Sequence, residues 1–165
     1  MVEQPPRGEQ FDFDRSVLGV DTEVARATVT AEDILAFCAT VGETNPLYTD
    51  AATALAAGYR GLVAPPAYYS IINEGSGGPD PKVTFGTVSF AAGQHCAFME
   101  PICAGDTIVA TTRIVDVYAK TGRSGMMVFV VRRTVYENQL GQQVAEVEQL
   151  SARRNMPDAG EPAVL

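Results

Sequence analysis

A change of texture at Val83 limits the possible folds more than any other feature of this sequence. From there to Ala152 the chain runs through β-branched and aromatic stretches broken by glycine-bearing turns, which is the pattern of consecutive strands. The stretches predict strands near 83–90, 94–98, 107–118, 126–137 and 143–152. The turns fall at 104–106, 120–125 and 138–141, each with a glycine where positive φ is needed. The last three strands are long and consecutive, so an antiparallel meander is expected.

The residues before Val83 carry helix starts and stops instead. An extended piece around 24–29 leads to Thr30, a helix cap followed by Glu32 and Asp33 in the first turn. Ile34, Phe37, Cys38 and Val41 recur at helical spacing until Gly42 ends the helix. The segment 43–50 is turn-rich, and Pro46 blocks helix continuation there. Asp50 caps a second helix over 51–57, which Gly58 stops. Pro66 stands at the first position of a third helix over 67–74, whose Tyr68, Ile71 and Ile72 can share a buried face. The glycine-rich stretch 75–79 closes this half. A bent antiparallel sheet preceded by helices, one of them wrapped by the sheet, is an α+β arrangement.

With 165 residues, the chain is long enough for one core and too short for two ordinary domains. One domain over 11–154 is expected, with polar, proline-bearing tails at 1–10 and 155–165. Twelve basic residues against twenty acidic ones give a formal charge of −8, which argues against a nucleic-acid partner. No apolar run reaches the roughly 20 residues of a membrane span, and the N-terminus lacks a signal-peptide layout, so a cytoplasmic location is expected. Cys38, Cys96 and Cys103 show no ligand spacing and are read as small buried or half-buried apolar residues. Together with the single histidine, His95, this leaves no metal and no cofactor expected.

Five segments then bear on function: Asp14-Arg-Ser-Val-Leu-Gly19, Val29-Thr-Ala-Glu-Asp-Ile-Leu-Ala-Phe37, Gly42-Glu-Thr-Asn-Pro-Leu-Tyr48, Gly58-Tyr-Arg-Gly-Leu-Val-Ala-Pro-Pro66 and Pro101-Ile-Cys-Ala-Gly-Asp106. In this order and spacing they resemble the MaoC-like dehydratase N-terminal family, and the likeness extends over 11–154. The resemblance implies a single hotdog fold, a bent antiparallel sheet wrapped around a central helix. It also implies dimers whose sheets join, with an acyl-thioester tunnel at the interface between subunits.

Hydrating an enoyl thioester requires a base for water, an acid for the α-carbon and polarisation of the carbonyl as enolate charge develops. Active members of the family resemble Asp-x-Asn-Pro-x-His, with a His-Gly at the start of the central helix. Here Glu43 takes the Asp position and Tyr48 the His position, Asn45 and Pro46 are kept, and the His-Gly falls on Pro65-Pro66. The extra methylene of Glu43 displaces the acid group, and a phenol near pKa 10 exchanges protons at neutrality less readily than imidazole. Glu43 and Tyr48 are thus the candidate catalytic pair in altered form. The plain alternative is that Glu43 carries charge near a helix end while Tyr48 packs.

The candidate substrate-binding residues are Asn45, Pro46, Tyr59, Gly61, Val63, Ala64, Ala67 and His95. Proline has no N–H, so Val63, Ala64 or Ala67 would have to donate to the thioester oxygen. His95 can face the tunnel or be an ordinary strand histidine, with the ordinary role ahead. Arg60, Lys120 and Arg123 are loop candidates for a phosphate contact, a solvated role being the simpler one.

The resemblance implies that the thioester is borne by coenzyme A or an acyl-carrier protein. The altered pair resembles the degenerate subunit of heterodimeric or heterotetrameric hydratases, in which a second hotdog subunit supplies the dyad. A self-sufficient homodimer acting on a specialised thioester such as a polyketide intermediate, and a non-catalytic acyl-binding module, are the alternatives.

Overall fold

The computed structural model describes residues 10–72, 77–123 and 125–156. Strand β1 (Thr22–Thr28) is followed by helices α1 (Ala31–Val41), α2 (Pro46–Thr49), α3 (Ala51–Ala56) and α4 (Tyr69–Ile72), and then by strands β2 (Val88–Phe98), β3 (Thr107–Gly122), β4 (Gly125–Glu137) and β5 (Gln143–Arg154). The expected tails lie almost wholly outside the described residues. No helix among the described residues is long and apolar enough to cross a membrane.

The capping chemistry read from the sequence is present. The Thr30 side chain accepts from the Asp33 N–H and Asp33 returns a bond to the Thr30 N–H, a reciprocal box that starts α1. Gly42, at φ 71°, ends it in the left-handed conformation. The Asp50 carboxylate accepts from the Ala52 and Thr53 N–H groups and starts α3. On α1, Ile34 and Cys38 are buried and Phe37 half-buried, whereas Val41 lies 58% exposed, outside the buried stripe assigned to it.

All strand pairings are antiparallel, in the order β1-β3-β4-β5-β2. The expected meander is β3-β4-β5, and the fold is the α+β hotdog arrangement. The inner face carries two apolar clusters. One joins Ile34, Cys38, Tyr68 and Ile72 of the helices to Ile108, Tyr136 and Val147 of the sheet. The other joins Met126, Val128 and Val130 to Val83 and Phe85, with Phe11 and Phe13 packed against it.

Three expectations are corrected. The third helix divides into a 3-10 turn at Pro66–Tyr68 and a single α turn, α4, and Ile71 is 41% exposed while Tyr68 and Ile72 are buried; its predicted end at 73–74 is outside the described residues. Residues 83–87 belong to no strand: the Thr84 N–H donates to the Asp12 carbonyl at 2.9 Å, so this piece clasps the start of the domain, and the Thr87 N–H, donating to the Arg154 carbonyl at 3.0 Å, leads it into β2 beside β5. The gap expected at 91–93 is a bulge within one continuous β2.

The loop over 58–66 is fixed to the turn over 101–106. Ala64 N–H donates to the Ile102 carbonyl and Ala104 N–H to the Leu62 carbonyl, both at 2.8 Å. Asp106, 0% exposed, accepts from Arg60 Nη1 at 2.6 Å and Nη2 at 3.1 Å, from the Cys103 N–H at 2.8 Å and from Gln139 Nε2 at 3.1 Å. Burial alone raises its pKa, but the bonds from Arg60, Cys103 and Gln139 outweigh burial and hold it below the usual 3.8.

A depressed pKa gives stability that is complete above the unfolded value and is lost as pH falls through the folded one. Asp106→Asn places a donor against donors and is expected to cost about 3 kcal/mol in urea unfolding at neutral pH. The gap to the wild type should close as the pH is lowered below 3.8. A Cβ on Gly61 would stand 2.9 Å from the Ala104 carbonyl oxygen. Gly61→Ala is therefore expected to cost about 1–3 kcal/mol, read as a lower denaturant midpoint with unchanged slope.

Candidate functional site

The segment after α1 turns on its own side chains. Oε1 of Glu43 accepts from the N–H groups of Thr44 and Asn45, both at 2.8 Å. Asn45 Oδ1 accepts from the Leu47 N–H at 3.0 Å and so caps α2, with Pro46 at its first position. Pro46 therefore begins a helical turn where the sequence suggested only a block. Local hydrogen bonding accounts for both Glu43 and Asn45, and each holds the loop that presents Tyr48.

Tyr48 is half-buried between the main core cluster and a smaller one of Ala54, Val63 and Cys103. It lines a groove of about 240 Å³ together with Tyr59, Val63, Ala64, Pro65 and Pro66. The opposite wall is Phe98, Met99, Glu100 and Ile102. The fold thus brings together four expected site residues, Tyr48, Tyr59, Val63 and Ala64. Glu43, Asn45, Pro46, Gly61, Ala67 and His95 are not among the lining residues.

The backbone donors sort differently from expectation. Ala64 N–H is taken by the Ile102 carbonyl. Ala67 is exposed in the first turn of the helix that opens at Pro66, where N–H groups have no partner within the helix. Val63 stands opposite Cys103 in an antiparallel bridge made by the Ala64–Ile102 and Ala104–Leu62 bonds, in which its own N–H takes no part. Ala64 is thereby corrected from donor to wall, and Val63 and Ala67 remain the candidates. Gly61 serves close approach to Ala104, as its missing Cβ requires.

His95 is also corrected. Its neighbour Cys96 packs into the core, so alternation turns His95 to the outer face. There it stands opposite Glu148, which accepts from Arg133 at 3.1 Å. This is an ordinary strand position away from the groove.

Sequence reasoning missed Phe98, Met99 and Glu100. Phe98 and Met99 are 49% and 46% exposed at the end of β2, immediately before Pro101. Two large apolar residues left open beside a turn were the available signal. It missed Tyr69 too, whose ring meets Phe98 at 5.8 Å and Tyr136 at 5.6 Å. Burial, then the contact with Cys96, pushes the Tyr69 phenol up to about 12, so it keeps its proton.

Comparison with known proteins agrees with this architecture. Residues 16–147 match the model of the FAS1-like dehydratase domain region. A UPF0336 protein of Streptomyces avermitilis is 31% identical over 126 residues, covering 74% of this chain and 82% of that protein. Among solved structures, the ChsH1-ChsH2 complex of Mycobacterium tuberculosis aligns with TM-score 0.71 and 23% identity over 86% of this chain and 91% of the other. The HadBC (3R-hydroxyacyl-ACP dehydratase) complex of the same organism aligns with TM-score 0.64 and 22% identity over 82% and 96%. The chain belongs to the FAS1-like dehydratase-region family and has the hotdog fold of the MaoC-like dehydratases.

Proposed function

We propose that this chain is the tunnel-forming subunit of a hydratase or dehydratase acting on coenzyme A or acyl-carrier-protein thioesters, paired with a second hotdog subunit that supplies the acid/base dyad. The observation that carries this reading is the use of Glu43. One of its carboxylate oxygens is held by two amides of its own loop, and that loop turns Leu47 and Tyr48, neither of them a histidine, to the groove. Pro66, where the resemblance implies the glycine of a His-Gly at the helix start, has no N–H to offer a thioester oxygen.

The groove supports the same reading. At about 240 Å³ it is smaller than the roughly 300–1,000 Å³ typical of small-molecule sites, as expected of half a site. β2 is paired on one side only, and Phe90 and Phe98 on it are exposed. Such an edge suits the joining of two sheets. The structural neighbours ChsH1-ChsH2 and HadBC are themselves complexes.

Glu100 favours a second reading, a self-sufficient homodimer, because it sets a carboxylate in the wall that Tyr48 and Tyr59 share. A module that binds acyl thioesters without turnover is the third. The chain should be purified alone and together with any adjacent-gene hotdog subunit, and hydration of crotonyl-CoA and longer enoyl-CoA thioesters followed by loss of enoyl absorbance. Activity is expected only with the partner, and Glu43→Gln in the complex should change it by less than about twofold, since the amide oxygen still accepts from the loop. Turnover by the isolated chain, falling about a hundredfold or more in Glu43→Gln, would establish the self-sufficient enzyme instead.

A further inference from the structure

The inner face of the sheet changes character along its length. On β4 the inward positions run Met126, Val128, Val130 and then Arg132, Thr134, Tyr136. Strand register carries this change sideways: Arg132 pairs with Gln149 and Gln149 with Gln94, a polar row across β4, β5 and β2. Beside it Thr112 and Thr134, 1% and 3% exposed, share a hydroxyl hydrogen bond of 2.7 Å.

These residues line a cavity of about 350 Å³. Arg132, Gln94 and Gln149 also line a second hollow of about 340 Å³ at the β2 bulge. Polar groups on the inner face of a sheet are costly unless they are matched.

Among the described residues no acid is matched to Arg132. Its Nη2 donates to the Pro79 carbonyl at 3.0 Å, and its Nε is buried without a partner. Among the described residues it enters no ion pair, and none of those lining the cavity is acidic. A guanidinium presents five N–H donors in a fork that fits a carboxylate, and one of them is engaged here.

Tyr69 stands between this cavity and the groove. Its ring touches Phe98 on the groove side, and on the cavity side its hydroxyl accepts from Gln94 Nε2 and lies 3.3 Å from Cys96 Sγ. The polar row lies behind this ring pair, so an acyl chain reaching it from the groove has to displace the rings.

We propose that the inner-face cavity binds a carboxylate carried at the far end of the acyl chain, with Arg132 as its ion-pair partner and Gln149 as a hydrogen-bond donor, Gln94 being held by Tyr69 and Cys96. This rests on the acyl-thioester reading of the groove and adds a substrate class to it: acyl chains with an acid terminus. A plain hydrocarbon tail would displace water from Arg132 and offer no acceptor in return.

The test is calorimetric titration of the full chain, and of its complex with the partner subunit, with decenoyl-CoA and its omega-carboxy analogue of equal length. The carboxylated thioester is expected to bind about tenfold more tightly or better. Arg132→Gln should abolish that preference, bringing the affinity for the carboxylated thioester to that for decenoyl-CoA. Arg132→Lys, which keeps the charge and loses the fork, should retain part of it. Because Arg132 also holds the Pro79 carbonyl, the comparison of the two ligands on the wild-type protein decides the matter even where a variant fails to fold. Equal affinity for both thioesters, or a preference that survives Arg132→Gln, overturns the carboxylate site and leaves the acyl-thioester reading intact. Failure of both to bind the wild type in either form removes that reading, and the site with it.

Discussion

Asp106 holds apart and together the two loops on which the groove depends. A fully enclosed carboxylate is tolerable only when its oxygens are satisfied, and here they receive a guanidinium, a main-chain amide and a side-chain amide. Arg60 comes from the loop after α3, Cys103 from the turn before β3 and Gln139 from the turn between β4 and β5. One acid thus ties together three turns far apart in sequence. The strand-like bonds between Leu62–Ala64 and Ile102–Ala104 are then kept in register, and the groove wall of Val63, Ala64 and Ile102 follows from them.

Given that frame, the inner face of the sheet decides what can lie against it. Its two apolar clusters hold the helices at one end and the clasped segments around Phe11 and Val83 at the other. Between them stand Thr112, Thr134 and Arg132, which no helix among the described residues covers with an acid. The Tyr69–Phe98 contact marks the boundary between apolar groove and polar hollow.

Much of the fold was legible because its signals are local. The Thr30 cap, the Gly42 stop, the Asp50 cap and the turn glycines each act within a few residues, and the long alternating runs of β3, β4 and β5 leave little choice. What escaped depends on contacts between distant segments. The apolar run at 83–87 has the composition of a strand, but its partner is the stretch around Asp12, which no local pattern reveals. Alternation along β2 defines two faces without saying which is inner; the packing of Cys96 settles that and sends His95 outward. Glu43 looked like a misplaced acid, and only its bonds to Thr44 and Asn45 disclose a loop-holding use. The polar row of Arg132, Gln149 and Gln94 exists only once strand register is known.

The outer side of β2 has a consequence for the chain in a cell. Along its eleven residues alternate main-chain N–H and C=O groups face away from β5, a ladder with no strand of the described residues beside it. The bulge between Ala91 and Gly93 twists that ladder but does not close it. A copy made in excess of whatever normally covers the edge is a template for adding strands indiscriminately. On the proposed pairing, its apparent stability rises with the concentration of the covering subunit, and balanced synthesis of the two becomes a condition of solubility.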